Sequence, residues 1–201
     1  MNGLPQDPMP PLRRIMMFID GENLVMRYQE LLAKGKMPLE NVVHAKDTYV
    51  WIQSTWMPRY HIVYRATYYT YVQGDDDKVN TTSEAIKSLT FNQYQPLHQN
   101  HVTPGIANTL YPKVYKKGKG KKAKGVDIQM TVDILTNVQQ DNMDTVYLLS
   151  GDGDYRPVIE ECIRRGKQVC VAAFSAGLSD GLKLIVDQFI CLDNYYFAQT
   201  E

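Results

Sequence analysis

The sequence predicts an α/β domain built on a mostly parallel sheet with helices on both faces. Three observations predict it. Short, continuous apolar runs at Ile15–Ile19, Thr145–Leu149 and Val169–Phe174 suit strands buried on both sides. Stretches with helical apolar spacing alternate with them. Polar Asp-Gly turns follow two of the runs directly, at Asp20-Gly21 and at Ser150–Asp154. With 201 residues, of which 44% are hydrophobic and 22% charged, the chain can bury one full core, and disordered and fibrous classes are excluded.

In chain order, Met1–Pro11 carries four prolines and reads as a flexible leader, so the domain is expected over residues 12–197. After the first strand a helix is expected from Glu22 to Ala33, with Gly35 as its stop. Thr48–Trp56 reads as a second helix closed by Pro58. His61–Val72 is rich in β-branched and aromatic residues and reads as a strand, ending at Gln73-Gly74-Asp75. The middle, about residues 56–122, is tyrosine-rich and less legible; Asp76–Phe91 is read as helical and Val102–Tyr115 as a source of another strand. The signal then sharpens: a helix Val126–Val138, a strand Thr145–Leu149, a helix Tyr155–Arg165, a strand Val169–Phe174, a short helix Ser179–Val186 and a last strand Phe189–Leu192.

In a parallel sheet of this kind, ligands bind beyond the carboxyl ends of the strands. Asp20, in Phe18–Asn23 (F-I-D-G-E-N), and the pair Asp152 and Asp154, in Leu149–Asp154 (L-S-G-D-G-D), both follow strands and belong to that edge. Like charges brought together repel, and the arrangement persists only with a compensating cation or proton. A metal site is the simpler account. Gly151 and Gly153 let the late turn fold tightly. One of its two aspartates is expected to cap the next helix; Asp154 lies closer to that helix, which leaves Asp152 as the firmer ligand. Asp127 opens the helix that follows the lysines, while Asp133 on that helix is too far around to share its face and keeps a supporting role. Asn23 adds a neutral oxygen or amide. Oxygen donors of this kind suit one or two Mg²⁺ or Mn²⁺ ions.

The formal charge of zero names no partner, but its distribution does. Lys116, Lys117, Lys119, Lys121, Lys122 and Lys124 crowd a glycine-punctuated segment, residues 116–125, just ahead of Asp127. They can bring phosphate toward an acidic cleft, or be a solvated loop. The segment lacks the Gly-Lys-Ser/Thr ending of a phosphate-cradling P-loop. Tyr60, Tyr64, Tyr68, Tyr69 and Tyr71, with Arg59 and Arg65, offer stacking surfaces for unpaired bases or, in the plainer reading, packing within a strand. His98 and His101 lack neighbouring cysteines and read as surface residues. Cys162, Cys170 and Cys191 lie in apolar stretches without metal or redox spacing and read as buried thiols in a reducing compartment. No apolar run reaches the ~18 residues of a membrane span and no signal-peptide layout opens the chain, so a cytoplasmic protein without membrane contact is expected.

The blocks F-I-D-G-E-N, K-G-V-D-I with Asp133 following, Y-L-L-S-G-D-G-D-Y, G-K-Q-V-C-V and the Phe189–Leu192 tail together resemble the NYN domain family, a branch of the PIN-like nucleases. The resemblance covers about Arg14–Glu30 and Lys124–Asp193. It implies a PIN-like three-layer α/β/α sandwich, a divalent metal on acidic residues, and RNA cleavage. By motif, Asp20, Asn23, Asp127, Asp152 and Asp154 would form the site, with Ser150 orienting a ligand. Two rivals stand beside a metal-dependent ribonuclease. One is a catalytically silent RNA-binding or regulatory module, because a fold outlives its chemistry. The other, ranked third, is a metal-dependent phosphatase, for which the first strand offers Asp20-Gly21-Glu22 in place of an Asp-x-Asp pair.

Overall fold

The computed structural model describes residues 12–56, 61–93, 95–97, 101–103, 107–117 and 125–199. The elements run β1 (Arg13–Asp20), α1 (Gly21–Ala33), β2 (Val42–Ala45), β3 (Tyr49–Ile52), β4 (His61–Gln73), α2 (Asp76–Lys87), β5 (Thr90–Asn92), β6 (Gln95–Leu97), β7 (His101–Thr103), β8 (Ala107–Thr109), β9 (Tyr111–Lys117), α3 (Val126–Gln139), β10 (Thr145–Leu149), α4 (Arg156–Arg164), β11 (Gln168–Ala173), α5 (Asp180–Lys183), β12 (Gln188–Cys191) and α6 (Asp193–Tyr196). Six of the strands form one sheet in the order β12-β11-β10-β1-β4-β9, and every pairing in it is parallel. The expected α/β/α sandwich with a mostly parallel sheet is what the chain forms.

Burial on both faces explains the apolar runs. All five residues of β10 are buried, Val146 and Leu148 on one face and Tyr147 and Leu149 on the other. Each such side chain removed from water contributes on the order of 1.5–3 kcal/mol. One core layer packs α1, α2 and the β2-β3 hairpin against the sheet through Leu24, Tyr28, Leu31, Trp51 and Ile86. The other packs α3, α4 and α5 through Met130, Ile134, Ile159, Cys162 and Leu182. Parallel strands need crossovers, and these helices supply the two covering layers.

Thr48–Trp56, expected as a helix, is not helical: β3 occupies Tyr49–Ile52 and pairs antiparallel with β2. The run Tyr49-Val50-Trp51-Ile52 favours extended backbone, and tertiary bonds select it. The Val50 N–H donates to the Tyr68 hydroxyl at 3.1 Å, and the Trp51 indole donates to the Thr90 carbonyl at 2.9 Å. The Asp76–Phe91 helix ends at Lys87, and Thr90–Asn92 is extended. Of the three cysteines, Cys162 and Cys170 are buried as expected, whereas Cys191 is half-buried; all are free thiols. Residues 1–11, expected as a leader, lie outside the described residues, as do Arg59, Tyr60 and His98; the His101 side chain is likewise not described. No helix among the described residues is long and apolar enough to cross a membrane.

Candidate acidic site at the carboxyl edge of the sheet

β1 and β10 are neighbours in register, Ile19 opposite Leu149, so the turns that follow them emerge side by side. That alone brings Asp20 next to Ser150, residues 130 apart in sequence. Gly21 makes the close approach possible: a Cβ there would lie 2.3 Å from the Tyr68 ring and 2.7 Å from the Tyr69 carbonyl oxygen. Gly151 and Gly153 are not among the glycines with a left-handed φ. Their smallness lets the loop after β11 pack close; a Cβ on Gly153 would lie 2.9 Å from the Ser179 hydroxyl.

The two turns are cross-linked by side chains. Asp20 caps α1, accepting from the Asn23 N–H at 3.0 Å, and its other oxygen accepts from the Ser150 hydroxyl at 2.9 Å. Ser150 in turn accepts from the Asp152 N–H at 3.2 Å, and the Asn23 side-chain carbonyl accepts from the Gly151 N–H at 3.2 Å. Asn23 and Ser150 therefore act as ties between the turns. Asp127, in the first turn of α3, accepts from the Tyr155 hydroxyl at 3.0 Å. Tyr155 was not singled out from the sequence; its place at the end of the G-D-G-D-Y block is the only signal for it.

The capping assignment reverses. Asp152, not Asp154, is the cap, accepting from the Asp154 N–H at 3.0 Å ahead of a short 3-10 turn Gly153–Tyr155; α4 begins only after that turn. Asp154 stands exposed, Asp152 is half-buried and Asp20 is 3% exposed. Asp133 is drawn away from this group. Tyr69 donates to it at 2.6 Å, Gln129 at 3.0 Å, and Lys113 forms an ion pair with it. Burial alone would raise its carboxyl, but these three donors outweigh it and hold the group below its ordinary range.

Electrostatics couple Asp20, Asp127, Asp152 and Asp154. Burial pushes the Asp20 carboxyl up to about 7, the charges of Asp127 and Asp152 add to the rise, and the Asn23 and Ser150 bonds oppose it. Asp127 keeps an open surface, yet protein atoms on its other side desolvate it, and with Asp152 and Asp154 they raise its carboxyl despite the Tyr155 bond. Among the described residues none of the four forms an ion pair. The four are not drawn into a finished cage: among the described residues no three His, Cys, Asp or Glu side chains stand close enough to hold an ion by themselves. Hard oxygen donors with uncompensated charge fit a cation that keeps much of its own water, as Mg²⁺ does when one or two carboxylates hold it.

Lys116 and Lys117 are the last residues of β9. Lys116 pairs with Asp76 at 2.9 Å, and the Lys117 ammonium sits 3.8 Å from the centroid of the Tyr71 ring. Lys119, Lys121, Lys122 and Lys124 lie outside the described residues. Tyr68 and Tyr69 are buried packing residues; Tyr64 is 59% exposed, and Arg65 stacks on Tyr111.

Over 97% of its length the chain superposes on all of a protein of unknown function from Vibrio parahaemolyticus, with a TM-score of 0.58 at 19% identity, a likeness of fold alone. An uncharacterized protein of Methanocaldococcus jannaschii is 37% identical over 79 residues, which cover 39% of this chain and 33% of that relative. The chain thus spans about a third of the length of that relative. The NYN domain family matches residues 14–193, which takes in every strand of the main sheet beyond Arg13 and all four aspartates. The chain belongs to the NYN domain family, whose members are in general nuclease-like.

Proposed function

We propose that this chain is a divalent-metal-dependent ribonuclease that hydrolyses RNA phosphodiesters at the carboxyl edge of its sheet. The observation that carries the reading is a group of four electrostatically coupled carboxylates without an ion-pair partner among the described residues, three of them on turns tied together by Asn23 and Ser150. Family membership supports RNA as the substrate class. Asp20, Asp127, Asp152 and Asp154 would hold one or two Mg²⁺ or Mn²⁺ ions. When bound, such an ion neutralises phosphate charge and lowers the pKa of a water for in-line attack.

The chain's own groups supply positioning. Ser150 holds one Asp20 oxygen and the Asn23 N–H the other, which fixes the carboxylate plane at the head of α1. Tyr155 restricts Asp127 in the same way, leaving its second oxygen free to turn outward. The Asp152 cap uses one oxygen, so the other can face a cation. Lys116, Lys117, Lys119, Lys121, Lys122 and Lys124 would meet the phosphates on the approach to Asp127.

The open spacing of the four carboxylates favours a second reading, an RNA-binding module without turnover. Incubating the chain with single- and double-stranded RNA in Mg²⁺, Mn²⁺ or chelator decides between them. Cleavage that needs metal and vanishes in Asp152→Asn is expected. RNA binding without metal-dependent cleavage establishes the silent module, and hydrolysis of small phosphate esters but not RNA would return the phosphatase.

A further inference from the structure

We infer that the cleft beside Glu22 is a base-binding subsite that selects guanine in the RNA strand whose phosphate lies at the acidic site. This inference rests on the ribonuclease reading for the place of that phosphate. The cleft, about 540 Å³, opens between the first two turns of α1, the β2-β3 turn, the end of β4 and Lys78 of α2. Its volume lies within the ~300–1,000 Å³ common for small-ligand sites. Residues that line it are chain neighbours of the acidic site. Gly21 and Glu22, which line it, directly follow Asp20, and Tyr71, which also lines it, packs against the α3 side of the sheet where Asp127 stands. A nucleotide with its phosphate at Asp20 and Asp127 therefore has this cleft within reach of its own or its neighbour's base.

The wall chemistry suits a planar, donor-bearing ring. Val25 and Met26 present apolar surface from successive positions of α1, and Met26 is 48% exposed. Bases offer π-faces to such surfaces whatever their identity. Identity is read by Glu22. Its Oε1 accepts from the Tyr71 hydroxyl at 2.9 Å, which holds the carboxylate in place, and Oε2 has no bond within the described residues. A carboxylate only accepts, and each oxygen can take two donors. Among the four bases, guanine alone presents two adjacent donors on its pairing edge, the ring N1–H and the N2 amine, matched in spacing to the two oxygens. Adenine and cytosine offer one amine flanked by an acceptor, which a carboxylate repels. Lys78 at the mouth and Lys117 on the Tyr71 ring flank the cleft with positive charge for the adjoining phosphates.

The test titrates guanosine, inosine, adenosine and cytidine into metal-free protein while backbone and methyl NMR signals of Val25, Met26 and Tyr71 are followed. Guanosine should shift these signals and bind roughly tenfold more tightly than inosine, which lacks the N2 amine, because one hydrogen bond to a charged acceptor is lost. Glu22→Gln should abolish that difference, since the Gln amide can still accept from Tyr71 but presents a donor to guanine. Met26→Ala should weaken all nucleosides alike, and serves if the first variant misfolds. Equal guanosine and inosine affinities in the wild type, or shifts confined to other parts of the surface, overturn the inference. Guanosine binding in a protein that cleaves no RNA would keep the subsite and remove the ribonuclease reading. RNA cleavage indifferent to neighbouring base, with no nucleoside shifts at Glu22, would do the reverse.

Discussion

The central strands carry acidic residues at both ends, and the two ends treat them oppositely. At the amino edge, Asp144 accepts from the Arg14 backbone at 2.8 Å and from its guanidinium at 2.7 Å, while Asp141 pairs with Lys167. The Arg14 bond draws the Asp144 carboxyl down to about 2, against a smaller opposing effect of burial. At the carboxyl edge, Asp20 rises to about 7 with no cation beside it among the described residues. Carboxylates that fold with their counter-charge are structural glue. Carboxylates gathered without one carry a cost, chiefly of burial and in smaller part of mutual repulsion, that an external cation or proton relieves.

The sharpest break between the ends should come from exchanging one oxygen for nitrogen in each. Asp152→Asn is expected to lower metal-dependent RNA cleavage by more than ~100-fold, since even a residue supporting a metal ligand commonly matters ~10–100-fold. Asp144→Asn should leave cleavage within about twofold and lower the Tm by roughly 2–4 °C, the modest loss of a solvent-screened ion pair. Rate assays and thermal melts on both variants read this; similar cleavage losses in the two would erase the distinction.

Metal should stabilise only the carboxyl edge. Mg²⁺ or Mn²⁺ at ~100 times Kd adds ~2.7 kcal/mol to the native state by mass action. The wild type should therefore melt several degrees higher with metal than with chelator, and Asp20→Asn/Asp127→Asn should not. Equal shifts in the two proteins would place the ion elsewhere.

These tests address residues that the sequence made legible in part. The apolar runs gave β1, β10 and β11 their places because strands buried on both faces carry their own signal. The Asp-Gly turns marked the edge where the acidic group gathers. What the sequence hid depends on distant partners. Thr48 starts a stretch that is extended because Tyr68, twenty residues on, bonds Val50, and because Asp47 turns the hairpin with φ 55° while Gln29 grips its backbone and side chain. Local pattern contains neither contact. Asp154 looked like the cap by proximity, yet the chain first makes a 3-10 turn, which moves the capping position back to Asp152. The supporting roles of Asn23 and Ser150 as ties across 128 and 130 residues become visible only once β1 and β10 pair.

The pH profile separates the ends by sign. Asp20, raised by burial and then by its acidic neighbours, binds a proton in the native state that the unfolded chain has released. Stability without metal should therefore fall as pH rises from about 4 to about 7 and stay level above, by at most ~1.4 kcal/mol per pH unit for one proton. Asp144, lowered, contributes stability that is present above the ordinary carboxylate range and lost as pH falls toward 2. Melts in chelator across pH 3–8 should show both limbs, with Asp20→Asn flattening the upper one only. A flat upper limb in the wild type would mean that Asp20 holds no proton in the native state that the unfolded chain has released.

The smallest effect belongs to the lysines. Lys119, Lys121 and Lys122 replaced by Ala should weaken RNA binding several-fold at moderate salt and make the log–log salt slope shallower by roughly 2, for three lost contacts to a single strand. Saturated turnover should change less. Superimposable binding curves would make the run a solvated loop and shift the RNA path toward the exposed Tyr64.

The placement of β1 between β4 and β10 bears on how the protein is made. Of the described strands, the first to be synthesised is a central one, and its second neighbour follows after more than a hundred further residues. At ~5–20 residues per second that is a wait on the order of ten seconds, during which one long edge of β1 has no partner. Asp20 is born early but meets Ser150 and Asp127 only when the second half has docked. Nascent chains at that stage therefore carry the first acidic turn without the rest of the acidic group.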